Sequence, residues 1–438
     1  MQINKLKKLI SANSLDSLDK LLDFLNENWG ILSEKELRDI AEYANANRQK
    51  NSAYYTDDFI VNEIINSLPS LKKDNLKILE PAVGTGNFVF PLIEKLSPKY
   101  KKITFVLNDI DPNSLKITKF FLSKKKIPKN VEIKITTFDF LDDLVFFDEK
   151  FDYVIGNPPF QRISNKKASQ YGNTITNLAG QFLLKASLIS KIVALVMPKN
   201  FLSTNDYSEL RTLIKKKSID TIIDFGEKGF KGVLIETISI ILGAKNNGRV
   251  RVNSFINQEE RVVPEDYITS TRYPYWLIYR DQYFDKIAQH MSFNVFSVFR
   301  DRQITNAKLS NNGEIKVYKS RNIRRDGKGL KEIPGYNKYI SFENAKDLSV
   351  MKYYDNENVY LVPNMTYYPR MIKKSGKYIV NGSIAILELK KGETITEKQV
   401  HFFSTEKFRR FYMIARNRGT RSLNIDKLSI FWFGKYGG

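Results

Sequence analysis

Between Leu76 and Leu242 the chain repeats one cadence: a short apolar run, a polar or glycine-containing break, then a stretch of helical spacing. Leu76–Leu79 runs into Glu80-Pro-Ala-Val-Gly-Thr-Gly-Asn-Phe, and Ile103–Leu107 ends at Asn108-Asp-Ile-Asp-Pro. Val131–Thr136 ends at Phe138-Asp139-Phe140, Phe151–Ile155 at Gly156-Asn157-Pro158-Pro159-Phe160, and Ile192–Met197 at Pro198. Apolar runs of strand length separated by helices are what parallel strands with crossover connections require. Ile219–Phe225 and Val233–Leu242 read as a closing pair with a short loop between them. The pattern predicts an open, mostly parallel α/β sheet. Its polar residues fall at the carboxyl ends of the strands, where such sheets bind ligands.

The flanks read differently. Residues 1–47 are helical, with Leu15, Leu18, Leu21, Leu22 and Leu25 at helical spacing and Ser33-Glu-Lys-Glu as a capping box opening a further helix. No chemistry is evident in them. After Lys245 the regularity ends; Gly313-Glu-Ile-Lys-Val-Tyr, Tyr378-Ile-Val and Ser383-Ile-Ala-Ile-Leu-Glu-Leu look like short strands between Gly and Asn turns. The expected division is a helical extension at 1–47, an α/β domain at 48–245 and a separate, β-rich domain at 246–438.

Composition narrows the chemistry. The 438 residues include no cysteine and two histidines, His290 and His401. Disulfides, thiol nucleophiles and zinc knuckles are excluded, and histidine-based triads or metal sites have almost no raw material. The longest apolar runs are strand-sized, and Met1-Gln-Ile-Asn-Lys-Leu-Lys-Lys lacks the apolar core of a secretory signal, so a cytoplasmic, membrane-free chain is expected. The last 193 residues hold 34 of the 70 basic but only 19 of the 48 acidic residues, a net +15. A polyphosphate partner would select such a surface. Drift in a chain rich in Lys, Asn, Ile and Tyr would produce it too.

Four strand ends carry candidate function. The Gly84-Thr85-Gly86 turn before a helix lets backbone approach a ligand, although it lacks the third glycine of the dinucleotide fingerprint. Asp109 could accept two hydrogen bonds from a ribose diol, or cap the helix before Pro112. Asp139 could accept from an adenine amino group, with Phe140 packing on the base. Asn157-Pro-Pro-Phe160 is the sharpest signal, because two prolines after a strand force a rigid, extended turn. The Asn157 side-chain oxygen and the Pro158 carbonyl can each accept one N–H of an exocyclic amine. The nitrogen is thereby drawn toward sp³ geometry and its lone pair exposed to a sulfonium methyl, while Phe160 offers a stacking face. Such catalysis is orientation plus preorganised dipoles.

Together, Tyr54-Tyr55-Thr56, Glu80-Pro-Ala-Val-Gly-Thr-Gly, Asn108-Asp-Ile-Asp-Pro, Asp139-Phe-Leu and Asn157-Pro-Pro-Phe resemble the gamma-class adenine-N6 DNA methyltransferases, which use S-adenosylmethionine (SAM). Met197-Pro-Lys-Asn-Phe-Leu-Ser and Ile222-Ile-Asp-Phe-Gly-Glu-Lys-Gly-Phe-Lys-Gly-Val are similar to the family's later motifs. The resemblance covers roughly residues 48–245. It is looser at Gly313-Glu-Ile-Lys-Val-Tyr-Lys-Ser-Arg-Asn-Ile and Thr420-Arg-Ser-Leu-Asn-Ile, which are reminiscent of recognition-domain phrases. It implies a Rossmann-like SAM-dependent methyltransferase sheet followed by a DNA recognition domain. Thr56, Glu80, Ala82 and Gly84 would line the cofactor's methionine end, Asp109 would bind its ribose, and Ile110, Asp139 and Phe140 its adenine. Asn157, Pro158 and Phe160 would take a flipped target base. Phe230 would stack on the base's other face, or simply pack within a hairpin. Gln161–Gly180 would face DNA, or form an ordinary surface loop; Arg321, Arg324 and Arg325 would meet phosphates or guanine edges, or be solvated.

The implied role is the modification enzyme of a restriction-modification system. Double-stranded DNA and a separately encoded restriction endonuclease would be its partners, and a monomer would suffice. An RNA base methyltransferase acting on adenine N6 or guanine N2 is the competing expectation. A glutamine methyltransferase would not need the basic second half, and a non-catalytic DNA binder would not need Gly84, Asp109 and Asn157 intact. The Glu388-Leu-Lys390 triplet lacks a Pro-Asp partner at convincing spacing, which argues against a fused nuclease.

Overall fold

A computed structural model describes residues 3–45, 56–142, 146, 148–229, 235–243, 247–419 and 425–438. Each apolar run of the central region becomes a strand: β1 Asn75–Glu80, β2 Lys102–Asn108, β3 Val131–Thr136, β4 Phe151–Gly156, β5 Ser190–Pro198, β6 Ile219–Gly226 and β7 Thr237–Leu242. Two more follow, β8 Arg249–Ser254 and β9 Glu259–Pro264. They join one sheet in the order β3-β2-β1-β4-β5-β7-β6-β8-β9. β1 to β5 run parallel, and β7 inserts antiparallel between β5 and β6. This is the open, mostly parallel α/β sheet expected from the sequence, closed by the antiparallel pair.

Burial follows position in the sheet. β4 and β7 are buried at every residue, as central strands covered on both faces must be. β9, at the edge, alternates half-buried and exposed residues and carries Glu259, Glu260 and Arg261, charges that discourage pairing with another chain. The strand order reverses at β1, which lies between β2 and β4. The carboxyl ends of β1 and β4 therefore flank the crevice where open sheets bind ligands.

The helical extension comprises α1 Ile3–Ala12, α2 Leu18–Glu27 and α3 Glu34–Ala44, one helix more than the leucine spacing and the capping box together indicate. Ser33 and Glu36 form the expected capping box at α3. Leu21, Leu25, Leu37, Ile40 and Ala41 share a core with Phe90, Ile117 and Phe121 from two helices that cover the sheet.

By contact density the chain divides into two units, Met1–Asp266 and Tyr267–Gly438. β8 and β9 thus carry the sheet past Lys245, where composition changes. The second unit contains the expected short strands at Ile315–Tyr318, Ile379–Val380 and Ile384–Leu389. Small sheets built on these strands share a core that includes Val317, Leu361, Ile379 and Ile386. Beside its strands it holds helices, including Glu406–Ala415, and an aromatic cluster in which Phe284 stacks on Phe411 and Trp432 meets both edgewise. No described helix is long and apolar enough to cross a membrane.

Candidate active site

The carboxyl ends of β1 to β4 open onto a cleft of about 340 Å³. Its wall includes Thr56, Glu80, Ala82, Gly84, Asp109, Ile110, Asp139, Phe140 and Asn157, so nine of the residues singled out from sequence meet in one place. Pro158 is buried within the Asn-Pro-Pro-Phe turn, and Phe160, half-buried, packs against the core of the sheet.

The turn after β1 needs its glycines. Gly84 and Gly86 have φ of +56° and +82°, in the left-handed region that side chains resist. A Cβ at Gly84 would meet nothing within 4 Å, because that position borders the cleft. The Gly84 N–H donates to Asp109 Oδ2 (2.8 Å), and Thr118 Oγ1 donates to the Gly84 carbonyl (2.8 Å). Asp109 also accepts from the Asp111 N–H at 2.9 Å. The helix that follows is capped by Asp111, which accepts from the N–H groups of Asn113 and Ser114. The capping alternative for Asp109 is therefore taken by its neighbour, and the Asp109 carboxylate braces the glycine turn.

Buried Asn108 ties three strand ends together. It donates to the carbonyls of Pro81 (3.2 Å) and Phe138 (3.0 Å) and accepts from Thr136 Oγ1 and the Phe138 N–H. Asp139 accepts from the Leu141 N–H (3.0 Å). The ring of Phe140 does not lie open for stacking. It is 2% exposed and packs on Phe182 at 4.8 Å, whereas Ile110 and Phe138 are 57% and 48% exposed on the wall. The accessible apolar faces are therefore those of Ile110 and Phe138, the second of which sequence reasoning left without a role.

Asn157 donates its side-chain N–H to Thr56 Oγ1 at 2.9 Å, which fixes the orientation of the carboxamide and identifies Oδ1 as its acceptor. Residues 161–180 fold back on the turn: Asn177 donates to the Phe160 carbonyl (3.1 Å), and the Leu178 N–H to that of Gln161 (2.9 Å). Part of the segment is helix, Asn165–Gln170, and Gln161, Lys167, Tyr171 and Leu178 line the cleft. Phe230, Tyr54, Tyr55 and residues 420–424 lie outside the described residues.

The cleft is acidic. Glu42, Glu80, Asp109, Asp111 and Asp139 line it against one lysine, Lys167, in a chain of net charge +22. Burial, and then the neighbouring Asp109 charge, hold the Glu80 carboxyl far above the usual carboxylate range, and its Oε2 has no hydrogen-bond partner among the described residues. Burial also pushes Asp109 up to about 6, against the lowering effect of its backbone donors. Removing two neighbouring carboxyls from water disfavours their ionised forms, and a cation in the cleft would restore them.

Two further features escape the sequence. Lys199, just after β5, is buried with Asp224 of β6 (2.8 Å) and with Glu236 beside β7 (3.3 Å), so it joins the two ends of the segment that carries Phe230. From α3, Glu42 and Asn45 stand in the cleft wall. In the second unit, Arg321 lies 4.8 Å from the Tyr336 ring and Arg325 5.3 Å from the Tyr368 ring, while Arg324 pairs with Asp326 (2.7 Å). Arg370 is buried and donates to the carbonyls of Ser320, Ile323 and Tyr368, fixing the loops that carry these arginines and tyrosines.

Residues 89–230 match the family described as Eco57I restriction-modification methylase. Over 206 residues, 44% of this chain, the sequence is 29% identical to the Type II methyltransferase M.VspI of Vibrio sp. (strain 343). Over 86 residues, 19% of this chain, it is 35% identical to the Type I restriction enzyme MjaIX methylase subunit of Methanocaldococcus jannaschii. The matched segments span 48% and 15% of those two relatives, so this chain aligns with half or less of each. In fold it is similar to the protein of a DrdV–DNA complex solved by cryo-electron microscopy, with a TM-score of 0.50 and 13% identity over 88% of this chain and 55% of that one.

Proposed function

We propose that this chain is a SAM-dependent DNA methyltransferase of the restriction-modification type, acting on N6 of an adenine flipped out of the duplex. One observation carries the reading. The Asn157 carboxamide, suited to holding an exocyclic amine, lines the same cleft as the acidic cradle around the Gly84 turn. The partnerless Glu80 Oε2 and the raised Asp109 fit a ligand that brings positive charge. SAM carries a sulfonium and an ammonium, and when bound it supplies an electrophilic methyl group.

Thr56, Glu80, Ala82 and Gly84 would hold its methionine end, Asp109 its ribose, and Asp139 with the faces of Ile110 and Phe138 its adenine; Phe140 supports that wall from behind. Asn157 Oδ1 and the Pro158 carbonyl accept the two N–H bonds of the target amine and draw its lone pair out of ring conjugation. Thr56 keeps the carboxamide in that orientation, and Phe160 stacks on the base. Phe230 covers the base's opposite face. Flipping is required because N6 is inaccessible while the base is stacked in a duplex. The second unit reads the DNA, with Arg321 and Arg325 held over tyrosine rings for phosphates or base edges. The restriction-modification relatives and the fold shared with a DNA-bound protein support this assignment. A separately encoded endonuclease as partner, a monomeric enzyme and a cytoplasmic site of action complete the proposal.

Asn157→Ala separates binding from chemistry. Methyl transfer is expected to fall at least ~100-fold, the scale of losing a preorganised hydrogen-bonding group. Calorimetric SAM affinity should stay within about threefold, since no cofactor contact is assigned to that side chain. Retained turnover would contradict the mechanism.

A further inference from the structure

The helical extension is joined to the cleft by one face of α3. Arg38 and Glu42, spaced i and i+4, share that face, and Asn45 caps the end of the helix beside them. Arg38 donates to the Thr85 carbonyl at 2.7 Å; its guanidinium lies 4.2 Å from the Phe121 ring and is held by Glu34 at 2.9 Å. Glu42 Oε1 accepts from Thr85 Oγ1 (2.5 Å) and from Asn87 Nδ2 (2.8 Å). Asn45 Nδ2 donates to Asp111 Oδ2 and to Ser114 Oγ, both at 3.0 Å. Two residues of α3 and its C-cap Asn45 thus grip the glycine turn after β1 and the cap after β2, the two loops that carry Gly84 and the Asp109 brace.

The grip bears on the ligand for two reasons. The turn holds two glycines in the left-handed region, and glycine loses the most conformational freedom on ordering. A turn fixed beforehand by side chains from outside spares the ligand that loss on binding. In addition, Glu42 and Asn45 line the cleft themselves, so the wall on that side is built by the extension. Packing of α1 to α3 against Phe90, Ile117 and Phe121 would hold the extension in place without these polar contacts.

We infer that α3 completes the SAM site, with Glu42 as the positioning residue that orders the Gly84–Asn87 turn and with Arg38 and Asn45 as its flanking anchors. The inference rests on SAM as the ligand of the cleft. By linkage, SAM and the docking of α3 stabilise one another.

Glu42→Ala and Glu42→Gln test it, because glutamine keeps an acceptor oxygen for Thr85 and Asn87 while alanine does not. By titration calorimetry, Glu42→Ala should weaken SAM about tenfold and Glu42→Gln less than threefold. In steady-state assays Glu42→Ala should raise KM for SAM by the same factor while kcat moves less than twofold. Bound SAM should slow amide hydrogen exchange across Leu37–Ala44 in the unsubstituted protein. Unchanged SAM affinity in Glu42→Ala, equal losses in both variants, or exchange in α3 indifferent to SAM would each overturn the inference. Failure of the unsubstituted chain to bind SAM would instead overturn the functional proposal on which it rests.

Discussion

The two charged regions of this protein hold their charges in opposite ways. In the first unit, two carboxyls at the strand ends are buried: Glu80 is withdrawn from water, and Asp109 is clasped by the N–H groups of Gly84 and Asp111. In the second, Arg321 and Arg325 are exposed and rest over the rings of Tyr336 and Tyr368. Burial raises the proton affinity of a carboxylate and shields it from salt, whereas an exposed charge is screened by salt. On the proposed function, the cleft takes a small cation in fixed contact and the arginine surface a large polyanion approached through solvent.

Salt gives the largest test of that contrast. For a surface making ~6 phosphate contacts, raising monovalent salt from ~50 to ~200 mM should weaken duplex DNA binding about a thousandfold. SAM affinity measured over the same range should move less than about twofold. DNA binding that ignores salt, or SAM binding that follows it, would erase the distinction.

Lys199 offers a sharper case, a cation that is both buried and paired. Lys199→Met removes the buried ion pairs that Lys199 makes with Asp224 and Glu236 and should cost about 3 kcal/mol in urea denaturation, the range for breaking a buried ion pair. A variant as stable as the parent would show that the cluster does not hold its three strands together.

Acid should act on the cleft and spare the arginines. Asp109, raised to about 6, is anionic above that pH and neutral below it. A bound cation favours the anion, so SAM affinity should fall toward tenfold per pH unit below 6. Calorimetry at several pH values checks this; affinity that rises on acidification would reverse the assignment. The smallest effect belongs to single arginines. Arg321→Ala or Arg325→Ala should each weaken DNA binding by about 1 kcal/mol and lower the salt slope by about one, whereas Arg324→Ala should do less because Asp326 already engages that side chain. Equal effects at all three would mean that the tyrosine platforms do not matter.

What the sequence makes legible is what lies next in the chain to a strand end. Glu80, Gly84, Asp109, Asp139 and Asn157 each end or follow an apolar run, and parallel pairing of those runs brings them together. The contacts that hold the loops beyond the strand ends are hidden because their partners are remote. Glu42 reaches Thr85 across 43 residues, and Lys199 reaches Glu236 across 37. An amphipathic helix such as α3 shows which side is apolar, but not that its polar side meets the glycine turn after β1. Phe138 and Phe140 fall two apart after β3, and only the packing of Phe182 decides which ring turns inward. The strands of the second unit are legible in outline, whereas the Arg370 tie between its loops joins residues 47 apart.

The most direct test of the central claim is transfer of a labelled methyl group from SAM to unmethylated duplex DNA, with total RNA in parallel and product nucleosides identified by mass spectrometry. The expected product is N6-methyladenine in DNA alone. Label in RNA, or as N2-methylguanine, would contradict it.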